Sequence, residues 1–155
     1  MKQTLVIILH FLINNFFAQN VVQGTLSFNE RHMLISELSN LKNIKIDSMK
    51  IIVVNFYITP KDKPNGSCID HYTSDKSYKK SFKKKSNALQ FFITEQNYFY
   101  DDANVVEDKN NILKDLIFKD ARDCGNYLII KPNGDFLKRL GEYRQNEIIN
   151  LIKNF

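Results

Sequence analysis

Ile51-Ile52-Val53-Val54-Asn55-Phe56-Tyr57-Ile58 is a nearly unbroken run of β-branched and aromatic side chains. A strand exposed on one face alternates apolar with polar. A continuous run of this kind suits a strand buried on both faces, as in a parallel sheet covered by helices. It stops at Thr59-Pro60, where proline cannot donate to a ladder. Lys61 to Gly66, with Pro64 and Gly66, reads as a polar turn. Working outward, Ala88-Leu89-Gln90-Phe91-Phe92-Ile93-Thr94 is a second buried strand and Tyr127-Leu128-Ile129-Ile130 a third. Pro132-Asn133-Gly134 follows as a hairpin signal, because Asn-Gly accepts the positive φ of a type I′ turn. Phe136 to Leu140 returns as its antiparallel partner.

Helices fill the intervals. Ser27 to Glu30 has capping-box spacing, and Leu34, Leu38 and Leu41 recur at helical intervals, which predicts a helix over Phe28–Leu41. Ser74 or Asp75 caps a helix to Lys85, with Tyr78 and Phe82 inward and Lys76, Lys79, Lys80, Lys83, Lys84 and Lys85 over the remainder. Asp108 caps another through Phe118, with Ile112, Leu113, Leu116 and Ile117 as its apolar face. Glu147 to Phe155 closes the chain with Ile148, Leu151, Ile152 and Phe155 at i, i+3, i+4 and i+7. The order is a leading helix and then β-α-β-α-β-β-α. This is an α/β chain with a mixed sheet and helices on both faces.

At 155 residues, with 43% hydrophobic and 25% charged residues, the chain has the makeup of one globular domain. Five glycines and three prolines exclude a collagen-like or proline-rich chain, and two cysteines exclude a disulfide framework or an all-cysteine zinc site. Met1-Lys2 followed by an apolar run from Thr4 to Phe17 has the layout of a secretory signal peptide. The run is broken by His10 and Asn14-Asn15 and is shorter than the ~20 residues of a membrane span. Residues 1–19 are therefore expected to be a signal, cleaved near Ala18 or Gln19, with residues 20–155 as the mature, exported domain. An N-terminal helix is the alternative. Loss of Lys2 lowers the formal charge from +5 to +4. No transmembrane segment is expected in the mature chain, and a monomer is expected.

The order of elements resembles the thioredoxin fold. Val53-Val54-Asn55-Phe56-Tyr57-Ile58-Thr59 is similar to the V-L-N-F-W-A-T strand of exported thioredoxin-like proteins of the TlpA and thiol-disulfide oxidoreductase type. Tyr127 to Asp135 is similar to their T-F-L-I-D-x-x-G-K hairpin, and Gly141 falls where they often carry a glycine before the last helix. The resemblance spans about Lys50 to Phe155. It implies a thioredoxin-like domain, and it also marks what is missing. Where the family has W-C-x-x-C this chain has Pro60-Lys61-Asp62-Lys63-Pro64, and where the family has a cis-proline it has Gly125-Asn126. Thiol-disulfide exchange needs an activated thiolate and a resolving neighbour.

The resemblance implies that the loop before Cys68 and the loop carrying Cys124 lie side by side at one end of the sheet. Three readings follow: a structural disulfide between Cys68 and Cys124, thiols that are unpaired or otherwise used, or an atypical redox pair. For the redox pair, Cys68 precedes a lysine-rich helix, and cations lower a thiol pKa. Against it, no second cysteine follows Cys68 at short spacing. The lysine cluster is expected to be a solvated helix face, with binding of an anionic surface as the alternative. No arginine-rich groove or aromatic platform points to nucleic acid. His32 and His71 lack neighbours at zinc-ligand spacing, so no metal or other cofactor is expected. Asp101-Asp102 reads as turn chemistry. Tyr98-Phe99-Tyr100 reads as core packing, with a binding surface as the alternative. No nucleophilic triad, P-loop or dinucleotide fingerprint is present. The expected function is a binding or structural module for an unidentified protein partner, with an atypical thiol-disulfide oxidoreductase as the alternative.

Overall fold

The computed structural model describes residues 21–60, 68–85, 87–122 and 125–154, without the side chains of Cys68 and Lys85. The predicted signal peptide, Cys124 and Phe155 lie outside the described residues. The elements are β1 (Val21–Thr25), α1 (Phe28–Lys42), β2 (Ile51–Tyr57), α2 (Cys68–Ser74), α3 (Lys76–Lys85), β3 (Ala88–Thr94), β4 (Val105–Glu107), α4 (Ile112–Leu116), β5 (Asn126–Ile130), β6 (Asp135–Leu140) and α5 (Gln145–Asn154). Six strands form one sheet in the order β1-β6-β5-β2-β3-β4. β2 runs parallel to β3 and antiparallel to β5, and β5 and β6 form an antiparallel pair. The fold is thioredoxin-like, a mixed sheet with helices on both faces.

β2 shows why its sequence is continuously apolar. Ile52, Val54 and Phe56 enter one core, with Leu34 and Leu38 of α1 and Leu113 of α4. Val53 and Tyr57 enter the other, with Ile69 and Tyr72 of α2, Tyr78 and Phe82 of α3, and Ile148 and Ile149 of α5. Side chains that alternate across a strand meet a helix layer on either side. The Ser27 capping box forms as expected: its hydroxyl accepts from the Glu30 amide at 3.3 Å, and its own amide donates to Glu30 Oε2 at 2.8 Å. Asp75 caps α3 by accepting from the Tyr78 amide at 2.9 Å.

Several elements depart from the expectation. β1 precedes the leading helix and pairs with β6 on the sheet edge, while β4 pairs with β3 on the opposite edge. α2 is a separate short helix before α3. α4 covers Ile112–Leu116, less than the predicted Asp108–Phe118. Asp108 nevertheless acts on that helix, because its Oδ2 accepts from the Lys114 amide at 2.9 Å. In α5, Ile148 and Ile149 are buried and Leu151 and Ile152 are only partly so. The hairpin is not type I′. Asn133 keeps a negative φ and only Gly134 turns positive, at 95°. The Gly134 amide donates to Lys131 O at 3.0 Å and the Lys131 amide to Asp135 O at 2.9 Å. This is a three-residue loop with a glycine bulge.

Candidate functional site

The end of the sheet where β2 stops and β5 starts is the end at which the family resemblance locates chemistry. Tyr57 is the last residue of β2, and Gly125-Asn126 lead into β5. The Asn126 side chain ties this corner together. Its Oδ1 accepts from the amides of Arg122 at 2.9 Å and Gly141 at 3.1 Å, and its Nδ2 donates to Phe56 O at 3.1 Å and Arg122 O at 2.9 Å. Glu95 anchors the chain beyond β2, accepting from the Thr59 amide at 2.6 Å and from Lys114 Nζ at 2.6 Å. Burial works against the Glu95 charge, but these donors prevail and hold its pKa below the ordinary value.

Beneath this corner lies a cluster of four buried tyrosines, Tyr57, Tyr72, Tyr127 and Tyr143. The Tyr72 and Tyr143 rings stack with centroids 4.5 Å apart, and Tyr127 meets Tyr143 edge-on at 4.9 Å. The Tyr72 hydroxyl donates to Tyr143 O at 2.7 Å, and Gln145 Nε2 donates to Tyr72 O at 2.5 Å, which ties α2 to the start of α5. The Tyr143 hydroxyl accepts from Asn55 Nδ2 at 2.5 Å and lies 3.4 Å from the Tyr57 hydroxyl. Asn55 Oδ1 accepts from Gln90 Nε2 at 2.7 Å, and that same nitrogen reaches the Tyr78 hydroxyl at 3.1 Å. Tyr127 donates to Glu147 Oε1, which Arg139 pairs at 2.8 Å.

Gly125 is the lid of this cluster. Its φ is +97°, and a Cβ there would lie 3.1 Å from the Tyr143 ring, 3.3 Å from Tyr72 and 3.5 Å from Tyr57. Where the resembling family places a proline, this chain lays bare backbone on three aromatic rings. Burial pushes the phenols of Tyr57, Tyr72, Tyr127 and Tyr143 above the ordinary tyrosine value. They stay protonated and act as hydrogen-bonding members of a packed network, not as bases or nucleophiles.

The sequence-predicted residues fall as follows. Cys68 opens α2, whose Tyr72 ring would lie 3.3 Å from a Cβ added at Gly125, but the Cys68 side chain and Cys124 lie outside the described residues. Lys76, Lys80, Lys83 and Lys84 are exposed on α3, Lys79 is half-buried with Nζ 6.0 Å from the Phe92 ring centroid, and the side chain of Lys85 is outside the description. His32 is exposed and stacks on Phe28, and His71 is exposed beside Tyr72. Among the described residues no group of three or more His, Cys, Asp or Glu is placed to hold a metal. Asp102 accepts from the Asn104 amide at 2.7 Å, an Asx turn. Tyr98 and Tyr100 pack against the second core, whereas Phe99 is 81% exposed, which corrects the core reading for that residue. The tyrosine cluster itself was not anticipated. Its members come from β2, α2, β5 and the approach to α5, so no spacing along the chain announces them.

No family model matches the sequence, and no curated protein matches it. Solved structures do match the fold. The pneumococcal exposed lipoprotein thioredoxin of Streptococcus pneumoniae strain TIGR4 is 12% identical, with a TM-score of 0.50, over 76% of this chain and 90% of its own. The thioredoxin domain of a Bacteroides vulgatus thiol-disulfide oxidoreductase is 14% identical, with a TM-score of 0.46, over 87% of this chain and 92% of its own. A member of the Sco family of cytochrome c oxidase assembly proteins is 14% identical, with a TM-score of 0.41, over 69% of this chain and 80% of its own. At these identities the likeness speaks to fold and not to activity.

Proposed function

We propose that the chain is an exported thioredoxin-like binding or structural module, without C-x-x-C chemistry, stabilised by a Cys68–Cys124 disulfide. The observation that carries the reading is the seat of Gly125. The residue that follows Cys124 faces Tyr72 of the helix that Cys68 opens, so closely that a Cβ added to Gly125 would lie 3.3 Å from that ring. The chain has two cysteines, 56 positions apart, so a bridge would close a long loop. On the chain-entropy account a loop of that length stabilises by about 4 kcal/mol. Export is supported by the basic start and apolar run of residues 1–17, and by the exposed lipoprotein among the similar structures. The test uses protein recovered from the exported fraction. N-terminal sequencing should begin near residue 20. Alkylation with and without reductant should show two cysteines blocked only after reduction. Two freely alkylated thiols would overturn the bridge.

A second reading is an atypical thiol-disulfide oxidoreductase. Cys68 stands at the head of α2, with the lysines of α3 following, a setting that favours a thiolate. In that reading the two thiols give up two electrons and two protons to a substrate disulfide and become the bridge. Insulin reduction that vanishes in Cys68→Ser would establish it and displace the first.

A further inference from the structure

β4 pairs with β3 only at Phe92, Ile93 and Thr94, so the outer edge of β3 over Leu89 to Phe91 has no strand partner among the described residues. At that corner a cavity of about 320 Å³ is lined by Lys42, Lys79, Gln90, Phe92 and Asn104. From these residues and the lysine face beside them, we propose that this corner binds a carboxylated sugar unit of an acidic polysaccharide. The exposed face of α3 would carry the chain onward. The inference goes beyond the proposed role and does not depend on the cysteines.

The donor and acceptor inventory sets the ligand class. Lys42 Nζ donates to Asn104 O at 2.6 Å and Ala103 O at 3.3 Å, leaving a third N–H. Lys79 places its ammonium toward the Phe92 ring. Both cations suit an anion. Gln90 spends its amide hydrogens on Asn55 and Tyr78, so it offers Oε1 to the cavity. Asn104 donates Nδ2 to Asp102 at 2.9 Å and offers its own Oδ1. Asp102, which accepts from Asn104, is a carboxylate whose charge both lysines already feel, so the corner sets two cations against one anion. The lining itself therefore combines two cations with the two amide acceptors of Gln90 and Asn104. An all-acceptor anion such as phosphate leaves those oxygens unmatched, whereas a sugar acid brings hydroxyl donors together with its carboxylate. Lys76, Lys80, Lys83 and Lys84 continue the positive surface, and no ion pair engages them among the described residues. The apolar residues of α3, Tyr78 and Phe82, are buried, so this face has nothing to insert into a bilayer.

Calorimetric titration of the exported chain with oligogalacturonate hexamer is the test, with the methyl-esterified hexamer as its uncharged counterpart. Binding should weaken as salt rises and be about tenfold or more weaker for the ester. Lys79→Gln should cost about fivefold, the upper range for one charge pair that remains partly open to solvent. The combined Lys76, Lys80, Lys83 and Lys84→Gln variant should bind the hexamer no better than the dimer. Equal affinity for the ester would overturn the proposal. So would an unchanged affinity in Lys79→Gln of native circular dichroism, or tighter binding of inorganic phosphate or of phosphatidylglycerol vesicles than of the uronate.

Discussion

Tyr143 is the residue on which the described end of the sheet depends most. Its hydroxyl accepts from Asn55, its carbonyl accepts from Tyr72, and its ring is sandwiched between the stack on Tyr72 and the edge contact with Tyr127. Tyr143→Phe keeps the ring and removes the acceptor, stranding the Asn55 amide in the core. The expected loss is about 1–3 kcal/mol, the cost of an unsatisfied buried donor, read as a shift of the urea midpoint. Gly125→Ala should cost more than about 1 kcal/mol, because it combines a positive φ with a Cβ 3.1 Å from the same ring. Phe99→Ser, at an 81% exposed position, should stay within about 0.5 kcal/mol of the parent. If all three shift the midpoint equally, the tyrosine cluster is not what holds this corner.

Elements divide by how much of their stability is local. The β2 strand, α1 with its capping box and the six-lysine helix α3 were legible because burial on two faces, a cap and an amphipathic stripe each leave a pattern in sequence. β1 and β4 left none. β1 has all five residues exposed, and β4 has three residues on an edge, so both exist through pairing with β6 and β3. α2 has Ile69 and Tyr72 as its buried apolar anchors among the described side chains, too few to leave a helical pattern in the sequence. The candidate site was legible only as an absence, the missing C-x-x-C and proline. What fills it, four phenols from four segments and a polar thread through Asn55 and Gln90, is assembled by topology alone. Asn126 is the joint between these elements, with two bonds accepted from and two donated to the backbone of β2, the loop before β5 and the end of β6. Asn126→Ala should therefore cost about 2 kcal/mol or more and raise hydrogen exchange at both Arg122 and Gly141. Exchange raised at only one of these amides would show that the loops are held separately.

Across the whole molecule, the two layers that sandwich the sheet differ in their chemistry. The layer of α2, α3 and α5 is rich in tyrosine, and its phenols are tied by hydrogen bonds to Asn55, to Glu147 and to backbone, although the buried Arg139 Nε beside them has no partner. The layer of α1 and α4 instead buries two carboxyls, Glu37 of α1 and Asp108 before α4. Burial raises the pKa of Glu37, and the Asp108 charge raises it further. Burial raises Asp108 as well, against the pull of the Lys114, Leu113 and Ile112 amides, and its Oδ1 has no hydrogen-bond partner. A carboxyl whose folded pKa lies above its unfolded value binds more protons when folded, so its contribution falls as pH rises through that interval. From the ordinary values of 3.8 for Asp and 4.5 for Glu upward, both groups subtract from stability. Glu95, held low by Lys114 and Thr59, acts in the opposite sense and loses its contribution as pH falls through its folded value. Glu37→Gln removes one charge of the strained pair and leaves Glu95 untouched. It should raise the urea midpoint at pH 7, leave it nearly unchanged at pH 4, and so make the change in midpoint from pH 4 to pH 7 more positive than in the parent. An equal loss at both pH values would mean that Glu37 contributes by packing, and that its charge does not weaken the layer.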